Sequence, residues 1–387
     1  VRGVSHYFSA ALAAFVIAAG LNVWIAAAHP LSNWPTANLD TSEAARAVAA
    51  WHREKATPEI VLLGSSLVVA PVMQAEANYL GNPIERMFNR RSTFLEKQVS
   101  DQKRRPHVFC FAIGGEMVSD AYLLAKNVLQ QRPPAAIIFG IAPRDVQDSL
   151  LPGIQSSETY KTTASLSDSI SLLRSHELSF EQGGDLLLSQ LVPLWNYRSD
   201  FRTYALLRAK KTITAMLPWV VLDRYDAYGN LGPRRIGQFP EEVKGVVLVR
   251  PGEAMPHANL EKTRHEYIAR YNPLNFEAMD QQFEYLDKLL SLCRQRHINI
   301  VMVNMPLSQD NLALMPKGLY TYFWNRVRSE CAANNVSLID MCKAPLTRND
   351  LYADGVHIDS GFSQQFLTDV LAKLRNSKLA FVREKAI

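Results

Sequence analysis

Cysteine and charge are both scarce in this chain. Its 387 residues hold four cysteines, Cys110, Cys293, Cys331 and Cys342, too few for a disulfide-built scaffold and without a Cys-x-x-Cys pair for zinc. Cys110 lies in an apolar run and reads as core, while Cys331 and Cys342 are close enough to bridge in an oxidising compartment or to remain buried thiols. Only 20% of residues are charged, and the net charge of +5 is spread along the chain. The basic clusters, Lys103 to Arg105 and Lys210 with Lys211, are short and carry no interleaved aromatics, which argues against nucleic acid as a partner. There is no internal repeat, and nothing in the sequence implies a metal or a cofactor.

Apolar residues, by contrast, make up 48% of the chain, enough for one large core or two modest ones. From Tyr7 to Ala28 the run is almost wholly apolar, close to the length a helix needs to cross a bilayer, with Tyr7 and Trp24 near its ends. The expectation is a retained transmembrane anchor over 5–28; the alternative is a cleaved signal, with Ala26 and Ala28 as the small residues of a cleavage site. Arg2 precedes the run and Asp40 and Glu43 follow it. This bias predicts a single-pass protein whose main domain lies outside the cytoplasm, on the periplasmic or extracellular face.

Residues 29–57 read as a linker and a helix, the latter over Thr41 to Arg53. Five short apolar, β-branched runs follow: Glu59–Leu63, His107–Ile113, Ala135–Gly140, Ile298–Asn304 and Val336–Asp340. They alternate with stretches of helical period such as Met279–Arg296 and Leu319–Ala333. Continuous apolar strands between helices predict an α/β fold, a three-layer α/β/α domain with a five-stranded parallel sheet over 58–146 and 280–375. The rhythm lapses between 147 and 279, which predicts a mostly helical insertion, with Ser165–Arg174, Asp185–Leu194 and Ser199–Leu217 as helices and Val243–Arg250 as a candidate strand. Residues 376–387 form a C-terminal tail.

In open parallel sheets ligands meet the carboxyl ends of the strands. The first predicted strand ends in Gly64-Ser65-Ser66-Leu67, where the glycine allows a sharp turn and Ser66 can stand above the sheet at a helix start. A helix-capping serine is the simpler reading of that serine taken alone. The second runs into Ile113-Gly114-Gly115-Glu116, whose glycines permit a backbone N–H to approach an oxyanion, or simply a tight turn. The last is followed by Asp354-Gly355-Val356-His357: an aspartate three residues before a histidine can accept from one ring nitrogen and leave the other for a serine proton. A plain surface turn is the alternative for this segment.

Taken in order, Ser66, Gly115 and Asp354-x-x-His357 resemble the blocks of the SGNH, or GDSL-like, hydrolase superfamily. Gly64-Ser65-Ser66-Leu67 is similar to its Gly-Asp-Ser-Leu block with serine in place of aspartate. The resemblance implies a flavodoxin-like sheet, Ser66, Asp354 and His357 as catalytic triad, and the amides of Ser66 and Gly115 as oxyanion donors. The family's third block normally supplies an asparagine, but here the third strand runs into Gly140-Ile141-Ala142-Pro143-Arg144-Asp145. Arg144 is left as an alternative donor, or as a structural partner of Asp145 or Asp148. With its apolar N-terminus, the layout resembles the anchored D-alanine transfer and alginate O-acetylation proteins.

The resemblance implies a serine esterase or O-acyltransferase acting on an O-acyl ester, carbohydrate or lipid, of the cell envelope; a non-catalytic scaffold on a degenerate hydrolase fold is the rival. In the insertion, Trp195, Tyr197 and Arg198, and the stretch Tyr225–Arg235, are candidates for lining a substrate cleft. Asn304-Met305-Pro306, after the fourth strand, is a candidate for shaping it.

Overall fold

In the computed structural model, the chain is described over residues 2–28, 43–85, 89–100, 105–151, 153–174, 180–192, 248–253 and 259–376, with single positions 178, 195, 212, 213 and 216. It divides into two compact units, one of residues 42–163 with 247–387 and one of residues 1–41 with 164–246.

In the larger unit, apolar runs become strands β1 (Ile60–Gly64), β3 (Val108–Cys110), β4 (Ala136–Ile141), β6 (Asn299–Asn304) and β7 (Ser337–Asp340), and β2 (Ile84–Glu85) and β5 (Leu248–Val249) form a separate antiparallel pair. The five-stranded sheet has the order β3-β1-β4-β6-β7, with every pairing parallel. Strands β1, β3 and β4 are buried along their whole length, because helices cover both faces and no position needs to be polar. The helices of this unit are α2 (Glu43–Arg53), α3 (Ser66–Leu80), α4 (Thr93–Val99), α5 (Val118–Leu123) and α6 (Glu158–Thr163). They continue with α9 (Leu260–Tyr271), α10 (Phe276–Gln295), α11 (Gln309–Ala313), α12 (Leu319–Ala333) and α13 (Ser360–Asn376). Helices α3, α4 and α13 pack together on one face, and α5, α10 and α12 on the other, where Trp51 of α2 sets its ring edgewise against Phe109 and Phe111.

One close approach fixes the start of α3. Gly64 and Gly140 are register partners on β1 and β4, and Gly64 has φ +134°. A Cβ on Gly64 would stand 2.5 Å from the Gly140 carbonyl oxygen and 2.7 Å from Val68 Cγ2. Only a residue without a Cβ lets the backbone leave the strand here and turn at once into the helix.

The smaller unit contains α1 (Arg2–Ala28), α7 (Leu166–Arg174) and α8 (Phe180–Leu191). The helix expected over the N-terminal apolar run forms. Among the described residues no helix is long and apolar enough to cross a membrane. Of the expected insertion helices, Ser199–Leu217 lies almost wholly outside the described residues. All four cysteines are free, so the Cys331–Cys342 bridge left open by the sequence is not formed.

Candidate active site

The carboxyl edge of the sheet brings together residues that lie far apart in sequence. Ser66 is the first residue of α3, directly after the β1 turn, and its Oγ is 2.9 Å from Nε2 of His357. On the other side of the ring, Nδ1 is 2.8 Å from Oδ2 of Asp354. The remaining oxygen, Oδ1, accepts the amides of Val356 at 3.1 Å and His357 at 2.9 Å, and Thr263 Oγ1 donates to Oδ2 at 3.4 Å. Burial pushes the Asp354 carboxyl upward, but hydrogen bonds from the His357 ring and from the two amides outweigh it and hold the group below its usual range. An ionised Asp354 takes the Nδ1 proton as a hydrogen bond. That leaves the Nε2 lone pair facing the Ser66 hydroxyl.

The loop that carries this pair is built to keep it in place. Tyr352 and Ile358 bridge its two arms, the Ala353 amide donates to the His357 carbonyl at 2.9 Å, and Gly355 takes φ +83° at the tip. Ser308 Oγ donates to the Gly355 carbonyl. Asn78, near the end of α3, donates to the Ser360 carbonyl at 2.8 Å, which ties the nucleophile's helix to the segment that follows the histidine.

The turn after β3 lies beside the nucleophile. The Ile113 amide donates to the Gly64 carbonyl at 2.9 Å, two residues before Ser66, and Gly115 has φ +84°. Glu43 holds the turn from α2, accepting the Gly114 amide at 3.0 Å while paired with Arg90 at 3.0 Å. Arg144, from the end of β4, is buried, and its Nη2 would lie 3.5 Å from a Cβ on Gly115. Its Nη1 donates to the Glu116 carbonyl at 3.0 Å and its Nη2 to Asp148 at 2.6 Å. Asp148 also pairs with Arg270, which in turn pairs with Glu266 at 2.6 Å. Of the two readings left open for Arg144, the ion pair with Asp148 is formed, and it places the guanidinium against Gly115.

Below this edge sit three buried carboxyls. Burial pushes Asp120 and Asp145 up to about 6 each, with the Ser157 hydroxyl opposing it at Asp120 and the Arg144 charge opposing it at Asp145. Burial also raises Glu116 well above the carboxylate range, and the Asp120 charge adds to this. Asp145 caps its turn by accepting the Ala142 amide at 2.9 Å.

Trp195 belongs to the smaller unit and is partly exposed, while Tyr197, Arg198 and residues 225–235 lie outside the described residues. Asn304, expected to shape the pocket, ends β6 and links two elements: its amide donates to Asp340 at 2.8 Å and to the Tyr320 hydroxyl at 3.0 Å. Sequence reading did not single out Thr263, Arg270 or the helix that carries them. The available signal was Asn259, whose side chain caps α9 by accepting the Lys262 amide. Among the described residues there is no group of three or more His, Cys, Asp or Glu placed to hold a metal.

The fold and site together define a parallel α/β sheet bearing a hydrogen-bonded Ser–His–Asp relay at its carboxyl edge. No family model matches the chain, and no curated protein matches it. Among solved structures, an acetyl xylan esterase is similar with a TM-score of 0.34 and 11% identity, covering 81% of this chain and 98% of that one. A Bacteroides fragilis protein described as an acylhydrolase is similar with a TM-score of 0.35 and 9% identity, covering 84% and 88%. Likenesses this loose do not bear on what the chain acts on.

Proposed function

We propose that this chain is an SGNH-type serine ester hydrolase that works through an acyl-enzyme on an O-acyl ester of a cell-envelope molecule. The observation that carries the reading is the unbroken path from the Ser66 hydroxyl through the His357 ring to the Asp354 carboxylate. Nε2 takes the hydroxyl proton as Oγ attacks the ester carbonyl, and Asp354 steadies the imidazolium. The amides of Ser66 and Gly115, with Arg144 in the asparagine's place, hold the oxyanion. The imidazolium then gives its proton to the departing alcohol, leaving the acyl group on Ser66. Water repeats the cycle in reverse, losing a proton to Nε2 and releasing the carboxylic acid with Ser66 restored. If a sugar hydroxyl replaces water in this second half, the same residues make the chain an O-acyltransferase.

The test is hydrolysis of a small nitrophenyl acetate. Ser66→Ala should reduce the rate at least about a thousandfold with the circular dichroism spectrum unchanged. An equal rate in the variant, or no turnover by the parent chain, would leave the scaffold reading in possession.

Membrane attachment through α1 is part of the proposal. Leu12, Phe15, Val16, Ile17 and Val23 are exposed on that helix, and apolar side chains so placed favour lipid over water. The full chain should pellet with membranes and need detergent for release; recovery in the soluble fraction would refute the attachment.

A further inference from the structure

Glu116, in the turn after β3, is buried, with 2% of its surface exposed, and no step of the proposed chemistry uses it. We propose that Glu116 is a positioning residue of acyl transfer: its side chain ties the turn that carries the Gly115 amide to the end of β1 that carries Ser66, and so sets the spacing of the two oxyanion donors. The inference rests on the proposed acyl-enzyme chemistry and adds to it a residue that the substrate does not touch.

Glu116 is bonded to three segments at once. Its Oε2 accepts the Ile113 amide at 3.1 Å, and the Gly64 amide also bonds the carboxyl. Its backbone carbonyl accepts Nη1 of Arg144 at 3.0 Å. One residue thereby joins the segments after β1, β3 and β4 that supply Ser66, Gly115 and Arg144. The Ile113 amide is shared with the Gly64 carbonyl at 2.9 Å, so the side chain adds a second tie across the same gap, past Leu62 and Cys110, the last register partners of the two strands.

Within the turn, the neighbouring amides are all held. The Ile113 N–H goes to Gly64 and Glu116, the Gly114 N–H to Glu43 at 3.0 Å, and the Glu116 N–H to the Ile113 carbonyl at 3.0 Å. The Gly115 N–H has no hydrogen-bond partner among the described residues, and Gly115 is exposed. A free N–H between held neighbours has a fixed place, which is the condition for a preorganised oxyanion donor.

Packing alone does not account for a carboxyl at this position. Burial pushes the Glu116 group well above the usual carboxylate range, the Asp120 charge adds to this, and the Ile113 amide opposes it, so the neutral acid is favoured. Its Oε1 has no hydrogen-bond partner among the described residues. A buried oxygen left so weakens a fold, and a leucine of similar size would avoid that loss. What leucine cannot do is accept the amides of Ile113 and Gly64.

The experiment measures kcat and KM on a nitrophenyl acetate for the full chain and for Glu116→Gln, Glu116→Leu and Glu116→Met. Glutamine keeps the length, the neutral charge and an acceptor oxygen, and should hold kcat within about threefold of the parent. Leucine and methionine keep the bulk without the acceptor. Whichever of them folds by circular dichroism should lose about a hundredfold in kcat with KM nearly unchanged, the loss expected when a group is displaced by about an ångström. A trifluoromethyl ketone, to whose carbonyl carbon Ser66 Oγ adds while its proton passes to His357, should bind that variant more weakly by a similar factor. Leucine and methionine variants with the parent's kcat, or a glutamine variant as slow as they are, would overturn the positioning role while Ser66 remains the nucleophile. Failure of both to fold would make Glu116 a structural residue and overturn the proposal as well. A parent chain without turnover would instead sink the ester chemistry, and this inference with it.

Discussion

Oγ of Ser66 and Nε2 of His357 lie 2.9 Å apart although 291 positions separate them in the chain. The sheet produces this proximity. β1 ends below one residue and the loop after β7 carries the other, while α3 and α13, which begin at these two ends, pack side by side. The distance is that of a hydrogen bond already made, so no rearrangement is needed to start proton transfer.

Asp354→Asn should lower kcat by about ten-thousandfold, because an amide facing Nδ1 favours the tautomer that leaves Nε2 protonated and unable to accept from Ser66. The neighbouring amides still find an oxygen, so thermal melting should shift little. Steady-state kinetics beside a melting curve checks this; a fall of less than about tenfold would show that the aspartate does not orient the ring.

Arg144→Lys should lower kcat by about a hundredfold or more with little change in KM, as expected for a donor used on the oxyanion. Lysine keeps a charge near Asp148 but cannot donate to Asp148, to the Glu116 carbonyl and to an oxyanion with one fixed plane. A lower melting temperature with kcat intact would assign Arg144 to structure alone.

The buried carboxyls give a pH dependence of stability with a definite sign. Asp120 and Asp145 sit at about 6 in the fold, above the roughly 3.9 of an unfolded aspartate. Between about pH 4 and 6 the folded chain therefore binds more protons than the unfolded chain, and stability falls as pH rises through that window. Melting temperature should be higher at pH 5 than at pH 7. Asp145→Asn, which keeps the acceptor for Ala142, should flatten the slope. A slope unchanged in that variant would remove Asp145 from the account.

Much of this arrangement is legible in the sequence. The five sheet strands fall within about three residues of the expected apolar runs, because strands buried on both faces have no polar positions to obscure the pattern. Ser66 can be read because it lies two residues past β1, and Asp354 and His357, in the loop after β7, because of their three-residue spacing. Other parts could not be read, for particular reasons. Strand β2 is two residues long and exists only through its pairing with β5. Helix α9 buries just Tyr267 and Tyr271, one i,i+4 pair, so its apolar stripe is too thin to register. The roles of Glu43 and Thr263 depend on which way a helix is turned toward the sheet edge, and spacing along one chain does not record that.

Gly64→Ala should destabilise the chain severely, by about 3 kcal/mol or more, since its Cβ would meet a backbone carbonyl that has no room to move. Chemical denaturation of the soluble fraction measures it. A loss below about 1 kcal/mol would mean that the strand-to-helix turn is less tightly held than the Gly64–Gly140 register implies.

The most direct measurement is labelling of the purified chain with a fluorophosphonate, followed by peptide mass spectrometry. Such a reagent phosphonylates a serine whose hydroxyl has a base beside it and an oxyanion site before it. The account predicts a single modified residue, Ser66, with labelling lost in Ser66→Ala and strongly slowed in His357→Ala. A folded chain that takes no label, or takes it on another serine at the same rate in both variants, would contradict the account.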